Sequence, residues 1–212
     1  MEADCLHELE GGDGMRIIGG SLRGRKILAP PGPVTRPTAD RVREAIFNIL
    51  KDVPEGIRVL DLFAGSGALG FEALSRGALN CTFVESNPAV MRILQDNARR
   101  LDVSSRCRFV QGDVKRFLTQ HHRPISDVQG IQLVFLDPPY EWGVPLGVIE
   151  KLSAWSGLQS PALFVVEMSR KVGRAWQEND VLTDQICVVK KRDYGDTTVA
   201  VLRFEWSQQG GA

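Results

Sequence analysis

The sequence predicts an α/β fold: a doubly wound, seven-stranded, mostly parallel sheet with an antiparallel C-terminal hairpin and a small N-terminal β-hairpin. Three observations carry this expectation. First, apolar runs of strand length at 59–63, 81–85, 107–111, 133–136 and 162–167 alternate with segments of helical periodicity. Such alternation builds parallel sheets, because each crossover helix returns the chain to the same edge. Second, the earliest run lies in R-V-L-D-L-F-A-G-S-G-A-L-G, residues 58–70. There Gly65, Gly67 and Gly70 stand at G-x-G-x-x-G spacing, and Leu69, Phe71, Ala73 and Leu74 start a helix that should end near Gly77. Third, the runs at 186–192 and 199–206 are joined by a turn around Gly195-Asp196, which makes them antiparallel.

At 212 residues the chain suits one main domain with a small appendage. We expect a disordered extension or upstream start over 1–14, a basic hairpin and helix that also forms part of the ligand site over 15–52, and the main domain over 53–207. Lys plus Arg and Asp plus Glu both number 26, so nucleic-acid binding must come from a local patch. Residues 1–14 are acidic and resemble neither a secretory signal nor an Arg-rich transit peptide. No apolar run approaches the length of a membrane span, and a cytoplasmic monomer is expected. Cys5, Cys81, Cys107 and Cys187 are scattered; three fall in strands as small buried side chains, which points away from disulfides and zinc. His121 and His122 adjoin in a polar loop with no third ligand, so no metal site is expected.

Taken in order, residues 16–28 read R-I-I-G-G-S-L-R-G-R-K-I-L, two apolar pieces around glycines, as in a hairpin. A proline-rich loop follows, with Thr38 the expected N-cap of the next helix and Asp40 in its first turn. Val42, Ala45, Ile46, Ile49 and Leu50 form its apolar face, which leaves Arg41, Glu44 and Asn48 on another. Between residues 16 and 43, seven basic side chains accompany one acid, Asp40. That segregation in a neutral chain marks Arg16, Arg23, Arg25, Lys26 and Arg41 as candidate phosphate contacts.

The glycine turn is a recipe for a nucleotide-like ligand, since the backbone can approach closely and helix N–H groups face it. Asp61 refines the reading: a carboxylate at the strand tip repels a pyrophosphate and suits a cation. S-adenosylmethionine (AdoMet), with its ammonium and sulfonium, fits better than a dinucleotide. Glu85 ends the second strand twenty residues beyond Gly65, where an acid typically takes ribose hydroxyls. Asn87 and Pro88 read as N-cap and first residue of the following helix. Asp113, after Gly112, repeats the pattern on the third strand and suits an adenine amino group. Each acid alone could be a helix cap; three on successive strands favour a ligand crevice.

Asp137-Pro138-Pro139-Tyr140 closes the fourth strand. The Pro-Pro pair is stiff and donates no backbone hydrogen bond, so it fixes its own carbonyls. One such carbonyl beside the Asp137 carboxylate makes two acceptors, matched to an exocyclic NH2. Tyr140 can stack on the base, a contact worth roughly 1–3 kcal/mol. The amino nitrogen of a base is a poor nucleophile, and holding both protons would aim its lone pair at a methyl group.

With these motifs in place the chain resembles the class I AdoMet-dependent methyltransferases, and within them the RsmD family of bacterial 16S rRNA guanine-N2 methyltransferases. The resemblance rests on M-R-I-I-G-G-S-L-R-G-R-K, R-P-T-A-D-R-V-R-E-A-I-F-N-I-L, V-L-D-L-F-A-G-S-G-A-L-G-F-E-A-L-S-R-G-A and F-L-D-P-P-Y, and spans residues 15–206. It implies a Rossmann-like fold and AdoMet as cofactor. Asp61, Phe63, Gly65 and Gly67 would line the methionine end, Glu85 would take the ribose and Asp113 the adenine, with Ala64, Ser66, Ser86, Asn87, Gly112 and Val114 also in contact with the cofactor. Arg36 and Thr38 would lie close by, and Asp137 to Tyr140 would grip the amino group of a guanine in 16S rRNA, within a small-subunit particle containing ribosomal proteins.

Three alternatives are weighed against this. A DNA adenine-N6 or cytosine-N4 methyltransferase shares D-P-P-Y but usually carries a sizeable recognition domain. An NAD-dependent oxidoreductase fits the glycines and Glu85, yet leaves Asp61, Asp113 and D-P-P-Y without a role. A non-catalytic RNA-binding assembly factor would need the basic hairpin alone.

Overall fold

The computed structural model describes residues 15–30, 37–51, 55–120, 128–139, 145–176 and 181–206. The chain starts with two two-residue strands, β1 (Met15–Arg16) and β2 (Lys26–Ile27), paired antiparallel as the expected small hairpin. Helix α1 (Pro37–Ile49) follows. It begins one residue before Thr38, which therefore lies in the first turn rather than at the cap. A proline at the first helical position is favourable, because its missing N–H would have had no partner there.

The main domain then alternates: β3 (Arg58–Leu62), α2 (Ala68–Ser75), β4 (Asn80–Glu85), α3 (Pro88–Leu101), β5 (Cys107–Gln111), α4 (Val114–Gln120), β6 (Ile131–Leu136), α5 (Leu146–Ser153) and β7 (Leu158–Ser169). A four-residue helix, α6 (Arg170–Gly173), leads to β8 (Val181–Thr183), β9 (Ile186–Tyr194) and β10 (Thr197–Phe204). The sheet order is β5-β4-β3-β6-β7-β10-β9-β8. The first five strands are parallel neighbours, and β10 pairs antiparallel with both β7 and β9. These are the seven expected strands; β8 adds a short edge strand that was too brief to stand out in the sequence.

Strand alternation divides the core into two layers. Val59, Phe83, Leu133, Phe135, Val165 and Val199 face α1, α2 and α3, and Ile17 and Ile27 bring the hairpin onto this layer. Leu60, Leu62, Val84, Val134, Leu136 and Phe164 face α4 and α5 on the other side, together with Trp155. The strand order reverses direction between β3 and β6. In open α/β sheets that switch point leaves a crevice beyond the carboxyl ends of the strands.

Candidate active site

The crevice starts with the turn after β3. Phe63 adopts φ 63°, a left-handed conformation that a bulky residue rarely takes and that tends to mark functional positions. Gly67 has φ 82°, and a Cβ there would lie 2.3 Å from Leu94 Cδ1 and 2.4 Å from Phe71 Cε2. Only glycine satisfies both the turn and the packing of α2 beside α3. Gly70 is different in kind: its dihedral is ordinary, but a Cβ would meet Phe83 Cε1 at 2.3 Å. The third glycine thus lets α2 lie close on β4.

Two cavities open along this edge and share Phe63, Glu85 and Asp137. One, about 460 Å³, is bounded by Glu85, Ser86, Gly112, Asp113, Val114 and Asp137–Pro139. The other, about 430 Å³, is bounded by Asp61, Ala64, Gly65, Ser66, Asn87 and Asp137. Together they bring the expected positions on four successive parallel strands into one cleft. Gly67 lines neither cavity and acts through the turn. Arg36 and Tyr140 lie outside the described residues, as does the side chain of Thr38.

Three of the cleft carboxylates, Asp61, Glu85 and Asp113, are held by backbone N–H groups. Glu85 accepts from Gly65 N at 3.0 Å and Asn87 N at 2.7 Å, which locks the strand tip to the glycine turn. Asn87 caps α3 by accepting from Ala89 N at 2.9 Å, with Pro88 first in the helix as expected. Asp113 accepts from Arg116 N at 3.0 Å and so caps α4 while it also borders the cleft. Asp61 is almost fully buried and accepts from Gly70 N at 3.0 Å. Burial raises its pKa well above the carboxylate range; the Gly70 bond lowers it, and Asp137 and Glu85 add repulsion.

Asp137 leaves the end of β6 with its side chain open to the cleft, followed by a buried Pro138 and an exposed Pro139. Desolvation at the end of the sheet raises its pKa to about 6. An open, readily protonated carboxylate at the switch point is suited to accept hydrogen bonds or a proton from a bound group. The cleft as a whole is acidic, and its spare acceptors fit a ligand that is cationic and rich in donors. AdoMet meets both conditions.

The N-terminal segment also borders this site, and buried polar side chains hold it there. Met15 and Pro30 border the 430 Å³ cavity, and Ser66 Oγ lies 3.7 Å from Met15 Sδ. Asn97, fully buried on α3, accepts from Leu28 N at 2.7 Å and donates to Leu28 O at 2.9 Å and Ser66 O at 3.0 Å. One amide thereby ties the hairpin's exit to the glycine turn. Glu72, also fully buried, accepts from Ile18 N and Gly19 N at 2.8 Å and from Arg76 Nε at 2.8 Å. The only sequence signals were polar residues on otherwise apolar helix faces.

Arg25 departs from the expectation of a free phosphate contact. Its guanidinium donates to Leu101 O at 2.7 Å and to Arg100 O, capping the C-terminus of α3. Arg16 donates to Gly24 O at 3.2 Å and remains exposed, and Arg23, Lys26 and Arg41 are exposed as well. Arg43, counted with the basic cluster, is instead buried: it donates to Arg16 O at 2.6 Å and pairs with Asp40 at 2.9 Å.

A doubly wound sheet, a glycine turn at its switch point and acids on successive strand tips define a Rossmann-like methyltransferase fold. Comparison with known proteins gives the family: the one described as Conserved hypothetical protein 95 matches residues 15–203, and the chain belongs to it. This is the RsmD family that the motifs resemble. Among relatives, the Ribosomal RNA small subunit methyltransferase D of Escherichia coli (strain K12) is 42% identical over 153 residues, 72% of this chain and 74% of that protein. YlbH of Bacillus subtilis (strain 168) is 34% identical over 189 residues, covering 89% of this chain and 98% of its own. The solved structure of yhhF from Escherichia coli superposes with a TM-score of 0.76 at 33% identity, covering 91% of this chain and 98% of that one. Among the described residues no group of His, Cys, Asp or Glu could hold a metal ion, and no helix is long and apolar enough to cross a membrane.

Proposed function

We propose that this protein is an AdoMet-dependent rRNA methyltransferase acting on the exocyclic N2 of a guanine in 16S rRNA. The observation that carries the reading is Asp137: an open carboxylate at the switch point, followed by two prolines, in one cleft with the glycine turn and Glu85. Family membership and the relatives' names support the rRNA substrate.

When bound, AdoMet would supply an electrophilic sulfonium methyl group for transfer to N2, with its thioether as the leaving group. Asp61 and the 64–67 turn hold its amino-acid end, Glu85 its ribose hydroxyls, and Asp113 its adenine. Asp137 and a carbonyl of the Pro138–Pro139 pair accept the two N2 protons and direct the lone pair. Asp137 then receives the proton that N2 releases, directly or through water. Tyr140 stacks on the guanine, while Arg16, Arg23, Lys26 and Arg41 engage phosphates beside the cleft. The enzyme acts as a monomer in the cytoplasm, on an rRNA held in a small-subunit particle.

The test is transfer of radiolabelled methyl from AdoMet to small ribosomal subunits that lack their native methylation, followed by nucleoside analysis. Label in N2-methylguanosine, absent with Asp137→Ala, is the expected result. Label in another base would overturn the guanine assignment. Methylation that survives in Asp137→Ala would remove that residue from the mechanism.

A further inference from the structure

Glu167 stands near the end of β7, one strand beyond Asp137. Strands β6 and β7 run parallel with Leu136 opposite Val166, so Asp137 and Glu167 emerge side by side. Alternation places both on the face of Phe135 and Val165, and Asp61, next but one to Val59, shares that face from β3. Three carboxyls on three neighbouring strands therefore converge. Facing Glu167 are Asp137 from the adjacent β6, Asp61 from β3 one strand further on, and Arg43 from α1; on its other side β10 presents Val199. Burial and the two carboxyls hold Glu167 well above its ordinary pKa, which Arg43 offsets in part. Its side chain is half-buried, and neither it nor Asp137 accepts a hydrogen bond from any described residue.

Two acceptors at Asp137–Pro139 suffice for any aromatic amino group, so they cannot by themselves tell guanine from adenine or cytosine. The edges of these bases differ next to the amino group. Guanine carries a proton on ring N1, where adenine N1 and cytosine N3 carry a lone pair. A guanine site therefore needs a third acceptor beside the first two, and a carboxylate there repels the lone pair of the other bases. We propose that Glu167 is this third acceptor, taking the guanine N1–H while Asp137 and a proline carbonyl hold the N2 protons, and that it makes the enzyme selective for guanine.

This inference rests on the methyltransferase reading of the same site, and one experiment separates the two. Small subunits are reconstituted with 16S rRNA carrying guanine or 2-aminopurine at the nucleotide that the wild-type protein labels. 2-Aminopurine keeps the amino group but has a lone pair at N1. Wild-type protein should prefer guanine. Glu167→Gln can accept from N1–H or, with its amide flipped, donate to the lone pair, so the preference should shrink roughly ten- to a hundredfold. The missing O6 of 2-aminopurine affects both proteins alike and cancels in that ratio. S-adenosylhomocysteine affinity should be unchanged in the variant.

The wild-type protein offers a second measurement that needs no variant. Its preference for guanine should grow with pH, because only the protonated acid can donate to the lone pair. Asp137 meets the same amino group in both bases and drops out of the comparison. An unchanged preference in Glu167→Gln, or a pH-independent preference in the wild type, would overturn the assignment of Glu167 while methylation of guanosine continued. Failure of the wild type to label guanosine at all would overturn both readings.

Discussion

Glu72 offers a prediction whose size follows from the structure. It is fully buried on α2 yet serves the hairpin, accepting from Ile18 N, Gly19 N and Arg76 Nε at 2.8 Å each, with Arg43 Nε at 4.0 Å. Hydrogen bonds to an ionised acceptor contribute roughly 1.5–3 kcal/mol each. Glu72→Ala removes three such bonds and, among the described residues, leaves the buried Arg43 with Asp40 alone as its carboxylate partner. The Ile18 and Gly19 N–H groups regain water if the hairpin lifts, so the net loss should approach the roughly 3–5 kcal/mol typical of breaking a buried charge pair. For a chain of this length that lowers the melting temperature by roughly 6–20 °C. Thermal unfolding followed by circular dichroism measures it, and trypsin should cut faster after Arg23, since the hairpin loses its anchor. Glu72→Gln, which keeps one acceptor oxygen, should fall between. A melting point for Glu72→Ala within about 2 °C of wild type would refute the reasoning.

The remaining predictions are shorter. Arg25→Ala should cost roughly 1–2 kcal/mol in urea unfolding, because it uncaps α3, whereas joint replacement of Arg23 and Lys26 should spare stability and weaken RNA binding; equal stability losses would contradict the division of roles. Gly67→Ala should abolish S-adenosylhomocysteine binding in calorimetry, since the turn cannot accept a Cβ 2.3 Å from Leu94; retained affinity would count against the assigned geometry. The Asp137 carboxyl is raised from 3.8 to about 6, so the folded protein holds a proton there that the unfolded chain has lost. That contribution to stability is full below the lower value and disappears as pH rises through about 6, and Asp137→Asn should flatten this part of the stability profile. Over the same range kcat/KM for AdoMet should rise as the carboxylate forms; a profile flat through pH 6 would exclude Asp137 as the titrating group.

Much of this protein was legible in its sequence because the signals are local. Strand length, helical spacing and the glycine turn depend on neighbours a few residues apart, so the strand–helix order and the acids at strand tips could be read directly. The Asn87 cap and the turn at Gly195-Asp196 belong to the same category: each is a short-range contest between backbone and side chain, and the winner depends on residue type. The family motifs added the substrate expectation to that framework.

Tertiary structure decided what depends on contacts across the chain. That Arg25 is a helix cap and Arg43 a buried ion could not be told from Arg16 and Arg23, because all four share one charge and one short segment. Their partners, Leu101 and Glu72, are supplied by other elements. Asn97 and Glu72 read as ordinary polar helix residues until the hairpin is laid against them. Glu167 stands at the end of an otherwise apolar strand, and only the parallel register sets it beside Asp137. The physical reason is common to these cases: a sequence states which groups need partners, whereas the pairing is set by the packing of distant segments.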